Sequence, residues 1–193
     1  MHTPSPGPLL LLAAMAAYQV IEGALVARRG WGEFRATLMD PEIRGISAQL
    51  AIEVLLAVAV AWFATPLAVP GSGWVALILG ILVMCAGVAI RLWAVVALGH
   101  FFRPMVVLQT DHRVITDGPY RLVRHPSYTG MLLVQAGFGI ALGNFLSMAI
   151  CIVIPLHGVL SRISHEEEAL SRGLGDEYRT YAARTSCLVP GIW

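Results

Sequence analysis

Apolar residues run almost unbroken through about 9–27, 47–67 and 74–98, and two shorter runs follow at about 127–143 and 145–161. A helix needs about 20 apolar residues to cross the hydrocarbon core of a bilayer, so each run approaches or reaches that length. Only Gly143 and Asn144 separate the last two runs. So tight a connection folds them back as an antiparallel helical hairpin. Beyond residue 161 the pattern changes. Ile163, Leu170, Leu174, Tyr178 and Tyr181 recur at helical spacing among charged residues. That spacing predicts an amphipathic helix from about 162 to 184, ending near Pro190. The expected fold is all-α: a single polytopic membrane domain with five transmembrane helices and a C-terminal amphipathic cytoplasmic helix. Residues 1–98 form a three-helix membrane part, and 99–193 carry most of the polar chemistry.

Composition agrees with lipid as the solvent. The 193 residues are 57% hydrophobic and only 13% charged, against roughly 25% charged in soluble domains. The net charge of +1 gives no electrostatic footprint for nucleic acid. Cys85, Cys151 and Cys187 are scattered without Cys-x-x-Cys spacing, so neither a disulfide framework nor a zinc site is expected. No Lys or Arg precedes the first apolar run, so that run is expected to remain as a helix and not to be removed as a signal peptide.

The arginines orient the bundle. Arg28, Arg29, Arg35 and Arg44 lie between runs one and two; Arg103, Arg113, Arg121 and Arg124 lie between three and four; Arg162, Arg172, Arg179 and Arg184 follow run five. The opposite connections, 68–73 and 143–144, carry no charge. The positive-inside rule then puts the N-terminus outside and the Arg-bearing segments in the cytoplasm, as for a plasma-membrane protein. Arg91 alone falls within a run, and it is expected to snorkel to the cytoplasmic interface. Residues 28–45 read as an interfacial segment with Trp31 and Phe34 at headgroup level. Glu22 and Glu53 fall inside spans, where carboxylates are functional candidates unless they pair with Gln19, Gln49 or one another.

The densest polar chemistry is the stretch Gly118-Pro-Tyr-Arg-Leu-Val-Arg-His-Pro-Ser-Tyr-Thr-Gly130. Pro126 suits the first turn of the fourth helix, which sets His125 at the helix N-terminus, where unpaired amides favour an anion. Arg124 adds a bidentate fork, and the pair reads as a carboxylate clamp. The second cluster is Arg162 with Glu166-Glu167-Glu168. Arg162 and Glu166 are helical neighbours at i, i+4. On a helical wheel Glu167 points into the buried face, Glu166 flanks it and Glu168 points away. Any of these charges can instead be a headgroup anchor or a solvated helix face.

Three ordered motifs resemble the isoprenylcysteine carboxyl methyltransferase family, and more loosely the membrane phospholipid methyltransferases. They are Gln109-x-x-His112-Arg113-Val114-Ile115 leading to Gly118-Pro119-Tyr120; Arg124-His125-Pro126-Ser127-Tyr128-x-Gly130; and Arg162-x-x-x-Glu166-Glu167-x-x-Leu170, followed by Leu174-Gly175-x-x-Tyr178-x-x-Tyr181. They cover about 99–193. Leu174 departs from the family's usual Phe. The resemblance implies S-adenosylmethionine as cofactor at the cytoplasmic face. Gln109, His112, Arg113, Val114, Ile115, Tyr120, His125, Pro126, Ser127 and Tyr128 would line its pocket. Glu166 would complete it, with Glu167 left open as the alternative. Arg162 would face the methyl acceptor, with Arg124 nearby. The implied partner is a lipophilic small molecule or lipid-modified substrate beside membrane lipids, with no nucleic acid and no metal. Rival readings are an amine or phospholipid N-methyltransferase, an NADPH-dependent sterol-type reductase with a similar Arg-His-Pro-x-Tyr region, and a non-enzymatic membrane scaffold.

Overall fold

Helices carry nearly all the regular structure in the computed structural model, which describes residues 7–27, 35, 38–69, 73–99 and 114–192. The order is α1 (Gly7–Ala27), α2 (Pro41–Phe63), α3 (Gly73–Leu98), α4 (Pro126–Ala141), α5 (Phe145–Leu174) and α6 (Asp176–Ala182). Short 3-10 turns occupy Thr65–Leu67 and Gly118–Arg121. Among the described residues there are no strands, only two isolated bridges, Ala68 to Asn144 and Val123 to Ser186. The fold is all-helical. Ile43–Phe63, Gly73–Leu98 and Phe145–Leu174 are long and apolar enough to cross a membrane, and Leu10–Leu25 is a shorter apolar helix. At 16 residues, α4 spans about 24 Å, less than a ~30 Å hydrocarbon core. The interfacial segment expected over 28–45 lies largely outside the described residues.

Two expectations change. The helix beginning near 162 is not separate: α5 runs unbroken through Pro155 to Leu174. Strong helix formers over Glu166–Leu170 carry the helix on, and the chain turns only at Gly175, whose φ of 59° is left-handed. Arg91 does not snorkel. Its side chain is 13% exposed and turns inward, pairing with Glu22. Glu22 supplies a counter-charge within the bundle, so the guanidinium stays inside.

The axis of the fold is α3 against α4. A Cβ on Gly80 would lie 2.4 Å from the Gly137 carbonyl oxygen, and one on Gly87 2.6 Å from that of Gly130. Only glycine permits so close an approach, the device that membrane helices use in place of a hydrophobic driving force. Leu11, Met15 and Tyr18 of α1, Ala57 of α2 and Cys151 of α5 close the core around Val134 and Phe138. The hairpin between α4 and α5 is as tight as expected. The Asn144 side chain caps α5, accepting from Leu146 N at 3.0 Å and Ser147 N at 3.1 Å, and donates to Ala64 O at 3.0 Å. Glu53 pairs with neither Gln19, Gln49 nor Glu22: it accepts from Gln135 Nε2 at 3.0 Å.

Candidate active site

The site is assembled where the start of α4, the second half of α5 and the C-terminal tail meet. Gly118, with φ 59°, opens the 3-10 turn, and Pro119 occupies its second position. The chain then runs beside the tail: Arg124 N donates to Ser186 O at 2.8 Å and His125 N to Cys187 O at 3.1 Å. Thr129 Oγ1 adds a bond to Leu188 O at 2.8 Å. Below this, Val159 and Ile163 of α5 pack on Cys187 and Leu188. Pro126 starts α4 with His125 as the N-cap, and the two backbone amides of Tyr128 and Thr129 return to His125 O at 3.1 Å.

Two polar layers result. In the inner layer, Glu167 Oε1 accepts from Arg124 Nε at 2.7 Å and lies 3.0 Å from His125 Nε2. With a carboxylate there, Nε2 is the protonated nitrogen. Arg124 Nη1 also donates to Ala182 O at 3.0 Å and to Thr185 O. The expected carboxylate clamp of Arg124 and His125 is therefore filled by the protein's own Glu167. Partial burial would raise the Glu167 pKa, but the hydrogen bonds from His125 and Arg124, with the Arg124 charge, outweigh it and pull it down to about 2. Glu167 lies six residues beyond the apolar run ending at 161, among charged residues. The Arg124 guanidinium is disfavoured by burial, yet Glu167 holds its pKa above the ordinary value.

In the outer layer, Arg162 Nε donates to the Tyr128 hydroxyl at 2.8 Å, which donates to Glu166 Oε2 at 2.9 Å. His125 connects the layers: its ring centroid is 5.7 Å from that of Tyr128, and its Nδ1 is 4.0 Å from Glu166 Oε2. The wheel reading holds for all three acids, since Glu168 faces out and pairs with exposed Arg172. Beneath Arg162, an apolar cleft lined by Ile46, Leu50, Met131 and Val159 opens between α2, α4 and α5.

Tyr120 is buried, and its carbonyl accepts from the Tyr181 hydroxyl at 2.7 Å. Val114 N reaches Glu177 Oε1 at 3.4 Å, and Ile115 is half-buried. Ser127 turns toward Arg91, which donates to both its hydroxyl and its carbonyl. Gln109, His112 and Arg113 lie outside the described residues. Sequence reasoning did not find Tyr181 as a tie to the Tyr120 loop or Ser186 and Cys187 as backbone partners, and although it named Glu22 as a candidate it did not pair it with Arg91. The hints were the helical spacing of Tyr178 and Tyr181 and the charges of Glu22 and Arg91 inside apolar runs. His125, Glu167 and Cys187 offer ligand atoms within 4.8 Å of one another, but Arg124 shares the Glu167 oxygen and its charge opposes a cation there.

Residues 78–172 match the family model described as the isoprenylcysteine carboxyl methyltransferase (ICMT) family. The matched stretch contains both polar layers. The chain is similar to this family over that stretch. Among curated proteins, it is 33% identical over 121 residues to a "Probable protein-S-isoprenylcysteine O-methyltransferase" of Oryza sativa subsp. indica, covering 62% of this chain and 63% of that one. It is 34% identical over 111 residues to "Protein-S-isoprenylcysteine O-methyltransferase" of Schizosaccharomyces pombe, covering 56% and 47%. The chain thus spans less than two thirds of the length of these relatives. The fold resembles the solved "eukaryotic intramembrane Ras methyltransferase ICMT", with a TM-score of 0.75 at 22% identity, covering 94% of this chain and 65% of that one.

Proposed function

We propose that this protein is an S-adenosylmethionine-dependent carboxyl O-methyltransferase. In this reading it crosses the membrane five times, keeps its site at the cytoplasmic face, and acts on a lipophilic or lipid-modified carboxylate. The observation that carries the reading is the Arg162–Tyr128–Glu166 chain stacked on Arg124–Glu167–His125 at the head of an apolar cleft. The curated relatives' names support it.

The donor set suits the cofactor. Glu166, 30% exposed, offers a carboxylate for an ammonium or a ribose diol. Tyr128, only partly buried, has a ring suited to adenine or a sulfonium. Glu167 already occupies Arg124, so the cofactor carboxylate needs another partner; the family resemblance implies Gln109, His112, Arg113, Val114, Ile115 and Tyr120 as further pocket residues. Pro126 and Ser127 fix the backbone between. S-adenosylmethionine, when bound, supplies an electrophilic methyl group on a sulfonium.

The chain's own residues orient and exclude water. Arg162 aims the acceptor carboxylate, which is already ionised and needs no base. Arg124 is a positioning residue: it holds Glu167, which holds His125. Orientation of this kind contributes up to about 7–11 kcal/mol in favourable cases. An amine acceptor would require a base. Glu167, held by Arg124 and His125 with its pKa lowered to about 2, is a poor proton acceptor at neutral pH, which favours carboxyl chemistry. An acyl or prenyl chain would approach Arg162 along the apolar surfaces of Leu50, Met131 and Val159, which line the small cleft there.

The test uses purified full chain in detergent with methyl-labelled S-adenosylmethionine and two acceptor panels, carboxylated and amine-bearing lipids. Carboxyl transfer gives a product that releases labelled methanol in alkali. Label stable to alkali on the amine panel instead overturns the carboxyl assignment, and binding of NADPH but not S-adenosylmethionine overturns the methyltransferase reading.

A further inference from the structure

Glu22 and Arg91 stand outside the motifs that resemble the family, and Glu22 lies outside the residues that match its model. They come from α1 and α3, 69 residues apart, and make a two-point ion pair: Nε with Oε1, and Nη2 with Oε2 at 2.6 Å. The Glu22 side chain is only 20% exposed and that of Arg91 only 13%. The remaining arm of the guanidinium does something a simple salt bridge would not. Arg91 Nη1 donates to the Ser127 hydroxyl and to Ser127 O at 3.3 Å. Ser127 is in the first turn of α4, between His125 and Tyr128.

A cation is poorly placed at a helix N-terminus, where the dipole is already positive. Arg91 is held there for two reasons. The backbones of α3 and α4 approach so closely that a Cβ on Gly130 would lie 2.7 Å from Arg91 N. Glu22 also neutralises the guanidinium and fixes its plane. A guanidinium with one edge on a carboxylate and the other on a peptide carbonyl and hydroxyl has little freedom left. The Ser127 peptide it grips sets the direction in which the adjacent Tyr128 and His125 leave the helix.

We propose that Glu22 and Arg91 are positioning residues: Glu22 aims Arg91, and Arg91 clamps the first turn of α4 so that Tyr128 meets Arg162 and Glu166 while His125 meets Glu167. The first helix is then part of the site's machinery as well as a membrane segment. This inference rests on the methyltransferase reading.

The test is calorimetric titration of S-adenosylmethionine into the purified full chain, alongside its thermal midpoint. The proteins are wild type, Arg91→Lys, Arg91→Gln, Glu22→Gln and the swap Glu22→Arg/Arg91→Glu. Misplacing Tyr128 and His125 should weaken binding about tenfold in Arg91→Gln and Glu22→Gln. Arg91→Lys keeps the charge but not the fork, so its midpoint stays near wild type while its affinity still falls. The swap restores an ion pair and hence the midpoint. It does not restore affinity, because a carboxylate at 91 cannot donate to Ser127. Recovery of both by the swap makes the pair a structural bridge only and overturns the proposal, as does unchanged affinity in Arg91→Gln. If the swap does not fold, Arg91→Lys decides alone: wild-type affinity there overturns the proposal. No binding by the wild type is a different failure, that of the methyltransferase reading itself, and the proposal falls with it.

Discussion

Replacing Glu167 with Gln keeps the shape of the inner layer and removes its charge. The amide oxygen can still accept one hydrogen bond, but Arg124, whose side chain is 14% exposed, loses its counter-ion, and His125 loses the carboxylate that fixes its tautomer. Hydrogen bonds to charged partners contribute roughly 1.5–3 kcal/mol each. Glu167 is 27% exposed, so water screens part of this, and Gln recovers part of the rest; the net loss should be about 2 kcal/mol. For a chain of this length that lowers the thermal midpoint by about 4–8 °C. The control is the next residue. Glu168 is 58% exposed and pairs with Arg172, itself 77% exposed, so Glu168→Gln should cost less than about 0.5 kcal/mol. Both variants are followed by thermal unfolding in one detergent at one pH. Equal midpoints for the two variants would refute the claim that Glu167 holds the inner layer together.

The same carboxylate sets a pH dependence. Its pKa is about 2 in the folded protein against an ordinary 4.5, so its contribution is fully present above pH 4.5 and is lost as pH falls toward about 2. The acid limb of a midpoint-versus-pH curve should flatten in Glu167→Gln. At the helix crossing, Gly80→Val would place a Cβ 2.4 Å from Gly137 O. The clash should cost about 3 kcal/mol or more and abolish recovery of monodisperse protein, whereas Gly23→Ala, with nothing within 4 Å, should express normally. Arg162→Ala should lower turnover more than S-adenosylmethionine affinity; equal losses would remove its assignment to the acceptor. Tags on the two termini should be accessible from opposite sides of the membrane if the chain crosses five times.

Local chemistry was the legible part. The Gly143–Asn144 turn, Pro126 in the first turn of α4, and the order of Glu166, Glu167 and Glu168 around the helix all follow from spacing, because they depend on residues within a turn or two. What spacing cannot reveal is which polar groups meet across the bundle. Glu22 of α1 finds Arg91 of α3 and Glu53 of α2 finds Gln135 of α4 because helices distant in sequence pack side by side, and no local pattern encodes that. A wheel placed Glu167 on the buried face but could not say that Arg124 and His125 would be waiting there. The continuity of α5 past Ser161 was missed for a related reason. A change from apolar to amphipathic character marks a change of surroundings, from lipid to protein and water, and it does not require a break in the helix.

The most direct measurement is the structure of the full chain crystallised with S-adenosylmethionine. The account predicts density for the nucleoside and the sulfonium between the His125–Tyr128 turn and Glu166, with the methyl group facing Arg162. Density elsewhere, or none at saturating cofactor, would contradict it.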